Sequence, residues 1–149
     1  MLAKLNERRD ALNGESGFTL IELLVVLIII GVLLAIAIPS YLGFQKKAQQ
    51  TAAMSDVRSA IPDAEAYYSD NNSYTGMTAT GLKTTYDSGL VVSAASSTGI
   101  VSAVPGSTNT QAYCISAVSG GHWAHVAGPG GQVSNDTTAT TDPCAGFTG

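Results

Sequence analysis

The sequence predicts an α+β fold, a long N-terminal α-helix followed by a small antiparallel β-sheet, on three observations. From Leu20 to Ile38 every residue except Glu22 is apolar or Gly. Beyond Pro39, Ala53, Val57, Ala60, Ile61, Ala64 and Tyr68 recur at helical spacing, with Lys47, Asp56, Arg58, Asp63 and Glu65 among them. From Tyr74 the texture changes to short β-prone runs separated by Gly, Ser, Asn and Pro. Apolar residues at 3.6-residue spacing mark one face of a helix, and sequential β-prone runs mark paired strands. The 149 residues fit one domain once a membrane segment is set apart.

Residues 1–17 are polar and mixed in charge, with Asn13-Gly14 and Ser16-Gly17 as breakers. A secretory signal peptide is cut after its apolar region, next to small residues. Here the small Gly17 stands before the apolar region, so a cut at that point frees a hydrophilic leader and keeps the apolar segment on the chain.

Phe18 to Pro39, as a helix, spans about 33 Å at ~1.5 Å per residue, close to the ~30 Å of a hydrocarbon core. A core helix of a small protein seldom needs to be apolar all round at this length, so membrane insertion is the better reading. Basic residues flank both ends (Lys4, Arg8 and Arg9 before, Lys46 and Lys47 after), which orients the segment only weakly. The amphipathic run continues the helix over residues 42–71 until Asp70-Asn71-Asn72-Ser73 ends it, with an apolar stripe suited to cover a sheet. Pro39 and Pro62 are each expected to bend or open this helix, because each removes a backbone donor and crowds the preceding turn. Strands are expected at Leu90–Ala94, Ile100–Val104, Ala112–Val118 and Trp123–Val126, and residues 134–149 as a loop.

Charge limits the partners. The first seventeen residues sum to zero, so the net charge of −4 lies from Phe18 onward, and no Lys or Arg follows Lys83. Binding nucleic acid through phosphates needs clustered cations, and the distal half has none. Cys114 and Cys144 allow a single intramolecular pairing. The alternatives are a disulfide, which points to an oxidising compartment, and two free thiols; a membrane segment upstream favours the disulfide.

Ser16-Gly17-Phe18-Thr19-Leu20-Ile21-Glu22-Leu23-Leu24 closely resembles the processing and assembly motif of type IV prepilins. The resemblance extends to Gly31, Pro39, Tyr67-Tyr68 and the two distal cysteines, and its strong part covers residues 16–41. It implies a leader, residues 1–17, removed by a membrane-embedded prepilin peptidase cutting between Gly17 and Phe18, with methylation of the new Phe18 amine. It also implies a filament-core helix over 18–41 and a globular head over 42–149. The implied shape is a lollipop, with a protruding apolar half-helix and a C-terminal disulfide loop closed by Cys114 and Cys144. Partners implied are further copies of the same chain, the peptidase, an inner-membrane assembly platform with its ATPase, and minor pilins. The chain then begins in the cytoplasmic membrane and ends on the cell surface.

The chemistry of Glu22 agrees. A carboxylate in a membrane helix costs roughly 2.5–3.5 kcal/mol at the bilayer centre, and no Lys or Arg lies in this segment to meet it. After cleavage Phe18 carries an ammonium, its own at the i to i+4 spacing or a neighbour's, as the resemblance implies. At ~4 Å and an effective dielectric near 20 such a pair gains about 4 kcal/mol before desolvation. The plainer alternative is a glutamate near the membrane face that reaches water. Gly31 and Pro39 bracket eight residues of weakened helix, which either lend extensibility, as in similar pilins, or only permit close helix packing at Gly31.

His122-Trp123-Ala124-His125 is not read as a metal site, because strand residues three apart point to opposite faces. No cofactor and no catalytic residue is expected. Asn71-Asn72-Ser73 and Asn135-Asp136-Thr137 fit the glycosylation pattern, which is short enough to be common by chance. The nearest alternative is a pseudopilin of type II secretion, which shares the N-terminal motif; Asp136 and Asp142 alone make a poor calcium shell in residues 128–149. A more distant one is a membrane-tethered enzyme or binding domain on a signal anchor.

Overall fold

A 52-residue helix, α1 (Leu20–Asn71), dominates the computed structural model, in which residues 17–93, 98–136 and 139–149 are described. The leader, apart from Gly17, lies outside the described residues, as do Ala94 and Thr137. The chain divides into two units, one ending at Leu42 and one running from Gly43 to Gly149. Leu, Ile, Val and Ala fill α1 up to Ile38, and small residues carry it onward. No break in the helix occurs at Pro39 or Pro62, contrary to the local opening expected there. Each proline removes one donor, and the helical turns on either side persist. The helix stops where Asn72 adopts φ 54°, a left-handed conformation that asparagine tolerates. Its N–H reaches the Tyr68 carbonyl at 2.7 Å, and Asn71 Nδ2 donates to the Tyr67 carbonyl at 2.9 Å.

In the second unit, α1 buries Ala53, Val57, Ala60 and Ala64 completely. This spacing of i, i+4, i+7 and i+11 is one helical stripe, which faces the core shared with the sheet. The sheet has four antiparallel strands in sequence order: β1 (Gly99–Pro105), β2 (Tyr113–Ser119), β3 (His122–Gly128) and β4 (Ser134–Asp136). Ala103, Ile115, Ala117, Ala124 and Val126 share the core with the α1 stripe. Full burial contributes roughly 1.5–3 kcal/mol for a side chain such as Ile115 or Val126. Every residue of β2 is buried, so both its faces are covered. Tyr113, Ile115 and Ala117 belong to the core with α1, whereas Cys114 and Ser116 meet the C-terminal segment.

The β2–β3 connection is Gly120-Gly121, with φ of 55° and 80°. A two-residue hairpin that matches strand twist needs positive φ at both positions, which glycine supplies without strain. A Cβ on Gly120 would fall 2.2 Å from Gln49 Cδ, so glycine also lets the hairpin tip lie against α1.

Three expectations are corrected. Residues 79–85 form a short helix, α2 (Ala79–Thr85), where no helix was expected. Thr78 caps it, its Oγ1 accepting from Gly81 N–H at 3.0 Å, and Ala79 and Leu82 turn into the core. The strand expected at Leu90–Ala94 reduces to a single parallel bridge, Val92 to Ile100, because Leu90 is drawn into the core instead of a ladder. Residues 134–136, expected as loop, pair with β3 as β4.

Candidate processing and assembly site

Gly17, Phe18 and Thr19 precede the helix and are not helical. Nothing would meet a Cβ on Gly17 within 4 Å, and Phe18 is 84% exposed. The Gly17–Phe18 bond therefore lies among the non-helical residues directly before α1, on the N-terminal side of the exposed Phe18 ring.

Thr19 and Glu22 form a reciprocal cap on α1. Thr19 N–H donates to Glu22 Oε2 at 2.8 Å, and Thr19 Oγ1–H donates to the same oxygen at 2.7 Å. Glu22 N–H in turn reaches Thr19 Oγ1 at 3.3 Å. This is the capping-box arrangement, Thr-x-x-Glu, which satisfies otherwise orphaned donors at a helix start. The helix macrodipole further favours a carboxylate in the first turn. Thr19 is thus a partner of Glu22 beyond the ammonium and water expected from the sequence, and the Thr-x-x-Glu spacing is its signal there. Both hydrogen bonds that the carboxylate accepts fall on Oε2, so Oε1 has no partner among the described residues.

From Phe18 to Phe44 every large apolar side chain is exposed, the least so being Val25 at 45%. α1 is the one helix among the described residues long and apolar enough to cross a membrane. A contiguous apolar surface of this length marks a membrane or a protein partner. Gly31 and Pro39 both lie inside α1, and a Cβ at Gly31 meets nothing within 4 Å.

In the sheet unit the structure joins Cys114 to Cys144. Beneath the bridge, Ser116 Oγ donates to Asp142 Oδ1 at 2.6 Å, Cys144 N–H donates to the same oxygen at 2.9 Å, and Ser102 Oγ lies 2.9 Å from Ser116 Oγ. Asp142 is thus engaged in holding the C-terminal segment on the sheet. Asp136 Oδ1 likewise accepts from Ala139 N–H at 3.0 Å. No group of three or more His, Cys, Asp or Glu side chains among the described residues is placed to hold a metal ion.

Glu65 ties the helix to both the sheet and the loop that follows α1. Its two oxygens accept from Tyr74 (3.0 Å) and Tyr113 (3.1 Å), whose rings lie 4.7 Å apart. Burial, then the hydrogen bond to Glu65, pushes both phenols well above their ordinary range. Tyr68 stacks on Tyr74 at 4.9 Å and its hydroxyl bonds Gln111, while Tyr67 meets Tyr86 edge-on at 6.1 Å. The tyrosines at the helix end are packing groups, as expected. The role of Glu65 had no signal in the sequence, because its partners are 9 and 48 residues away.

Comparison with known proteins places the distinctive chemistry in the same region. The family model for the prokaryotic N-terminal methylation motif matches residues 12–38. This chain carries a prepilin-type N-terminus. It is similar to the major component of the type IV wide pilus of Thermus thermophilus, with 42% identity over 78 residues, 50% of this chain and 60% of the relative. It is similar to the fimbrial protein EcpC of Eikenella corrodens, with 37% identity over 100 residues, 63% of this chain and 65% of the relative. The type II secretion system core protein G of Aeromonas hydrophila is 40% identical over 60 residues, 40% of this chain and 42% of that protein. The chain thus spans less than two thirds of the length of the curated relatives it matches. No solved structure matches it significantly.

Proposed function

We propose that this chain is a structural, non-catalytic subunit of a type IV pilus, made as a precursor and assembled through its N-terminal helix. The observation that carries the reading is the wholly exposed apolar surface from Phe18 to Phe44, which begins directly after Gly17 and contains one carboxylate, Glu22. Water does not tolerate such a surface. A bilayer accepts it first, and a bundle of identical helices accepts it after assembly.

In this proposal a prepilin peptidase cuts between Gly17 and Phe18, the Phe18 amine is methylated, and residues 18–41 hold the chain in the cytoplasmic membrane. Glu22, with Oε1 free of hydrogen bonds among the described residues, receives the Phe18 ammonium of a neighbour as the subunit leaves the lipid. That pairing aligns copies along the filament. Gly31 and Pro39 supply a stretch of helix that can yield. An inner-membrane platform and minor pilins start the polymer, which serves adhesion, twitching motility or DNA uptake at the cell surface.

Similarity to type II secretion core protein G, also from Pectobacterium carotovorum and Escherichia coli, supports a second reading as a pseudopilin. The Cys114–Cys144 loop favours the pilus, as does the engagement of Asp136 and Asp142 within the fold. A melting temperature that rises on adding calcium would reverse that preference.

Intact and N-terminal peptide mass spectrometry on protein sheared from cells tests the proposal. A chain beginning at N-methyl-Phe18, two hydrogens lighter at Cys114 and Cys144, is expected. An unprocessed Met1 chain confined to membranes would overturn it.

A further inference from the structure

Apart from Lys46, which lies in line with the buried stripe, the charges on the amphipathic half of α1 fall on two opposed flanks. At ~100° per residue, Lys47 and Arg58, eleven residues apart, share one flank of the helix. Asp56, Asp63 and Asp70, spaced by seven, share another. The buried stripe of Ala53, Val57, Ala60 and Ala64 runs between the two. Arg58 stands about 140° around the helix from Asp63, so no pair forms within the chain by way of neighbouring turns.

The contacts agree with that separation. Neither Lys47 nor Arg58 makes an ion pair or side-chain hydrogen bond among the described residues, and Arg58 is exposed. On the acidic flank the buried Asp63 Oδ2 has no hydrogen-bond partner, and Asp87 stands near enough to repel it. Asp70 is exposed and accepts only from the Tyr86 hydroxyl, at 3.0 Å. Glu65 shares the flank of Arg58, but the hydroxyls of Tyr74 and Tyr113 occupy both its oxygens. The last turn of α1 carries no basic residue, so Asp70 also sits unfavourably at the negative end of the macrodipole. Lys47, Arg58 and Asp70 are the exposed members of the two flanks, whereas Asp63 Oδ2 is buried.

We propose that the amphipathic half of α1 is a side-to-side docking surface for a second copy of this chain, the Lys47–Arg58 flank of one copy meeting the Asp56–Asp63–Asp70 flank of the next. The two flanks are different surfaces, so the contact is heterologous. Such a contact leaves one cationic and one acidic flank open at the two ends of any row of copies, and it propagates instead of closing as a dimer. The cations lie toward the start of this half and the acids toward its end, so parallel copies shifted along the helix axis bring opposite charges together. Copies in register leave Lys47 well short of Asp56, whereas a shift of about ten residues, roughly 15 Å, sets Lys47 near Asp56 and Arg58 near Asp70. The inference rests on the pilin reading and adds the surface that sets the stagger between subunits.

Charge reversal in full-length subunits tests it, read as filament protein sheared from cells against the subunit pool in membranes. Arg58→Glu and Asp70→Lys, both at exposed positions, are each expected to lower sheared filament about tenfold, with the pool and the Cys114–Cys144 bridge unchanged. The combined R58E/D70K subunit is expected to recover to within about twofold of the original. Full yield from either single variant, or a combination no better than the worse single variant, overturns the proposal while leaving the pilin reading intact. Absence of filaments from the unaltered chain would instead refute the pilin reading. Should Asp70→Lys lower the pool itself, Lys47→Glu against Asp56→Lys replaces that pair with the same two outcomes.

Discussion

One helix lives in two solvents. Over Leu20–Leu42, α1 exposes every apolar side chain it has, whereas over Gly43–Asn71 it buries a stripe of three alanines and a valine to the last atom. The first stretch is Leu, Ile and Val on every face and offers no stripe for a sheet to choose. The second is mostly small and polar, and beyond Phe44 its larger apolar residues keep to one side. Rotational pattern, and not hydrophobicity, decides which part of a helix joins a folded unit: an all-round apolar surface is matched by lipid or by copies of itself, a striped one by a sheet.

Breaking the exposed half should have the largest effect. Gly17→Leu places a bulky side chain at the expected cut, so full-length precursor should accumulate in membranes with no filament, read by the mass of the chain. Glu22→Ala comes next: normal cleavage, with filament yield reduced about tenfold or more, since a buried ammonium would lose its partner. Glu22→Gln sharpens the point. It keeps acceptors for the Thr19 cap but has no charge, so an assembly loss equal to that of Glu22→Ala would assign the role to charge, and full assembly would assign it to the cap.

In the folded half the effects are on stability. Replacing Cys114 and Cys144 by serine opens a loop with a sequence separation of 30, and should cost about 3–4 kcal/mol by denaturant unfolding. Asp63→Asn should have the smallest effect. Burial, then the charge of Asp87, raises the Asp63 pKa above its ordinary value. A carboxyl whose pKa is higher folded than unfolded binds its proton more tightly in the fold, so its ionised form opposes folding at neutral pH. That penalty fades as pH falls through the folded pKa and is gone below the unfolded one. Asp63→Asn should therefore raise the melting temperature at pH 7 by a few degrees and flatten its rise toward acid, where Asp56, raised by burial, contributes the remainder.

Both halves were legible in the sequence to the extent that they depend on neighbours in the chain. The apolar run, its stop at Asn71, the striped continuation and three of the four strands follow from local pattern and composition. So did Gly17, Phe18 and Glu22 as candidates, on a motif; the Thr19 cap was legible too and was overlooked. What escaped lies where a weak local preference yields to distant contacts. The segment Ala-Thr-Gly-Leu-Lys-Thr-Thr is a poor helix former, yet α2 exists because Thr78 caps it and Leu82 finds the core. Ser134-Asn135-Asp136 has little strand propensity and pairs only because β3 offers an open edge.

The sequence alone therefore determined the long helix, the three main strands after it and the chemistry at the helix start, because each rests on residues within a few turns of one another. Only the tertiary structure decided that Glu65 would serve two tyrosines, that Asp142 would anchor the C-terminal segment to Ser116, and that Asp63 would be left without a donor. Those partners meet across 9 to 48 residues or not at all, and a polar side chain carries no mark of which buried group will reach it.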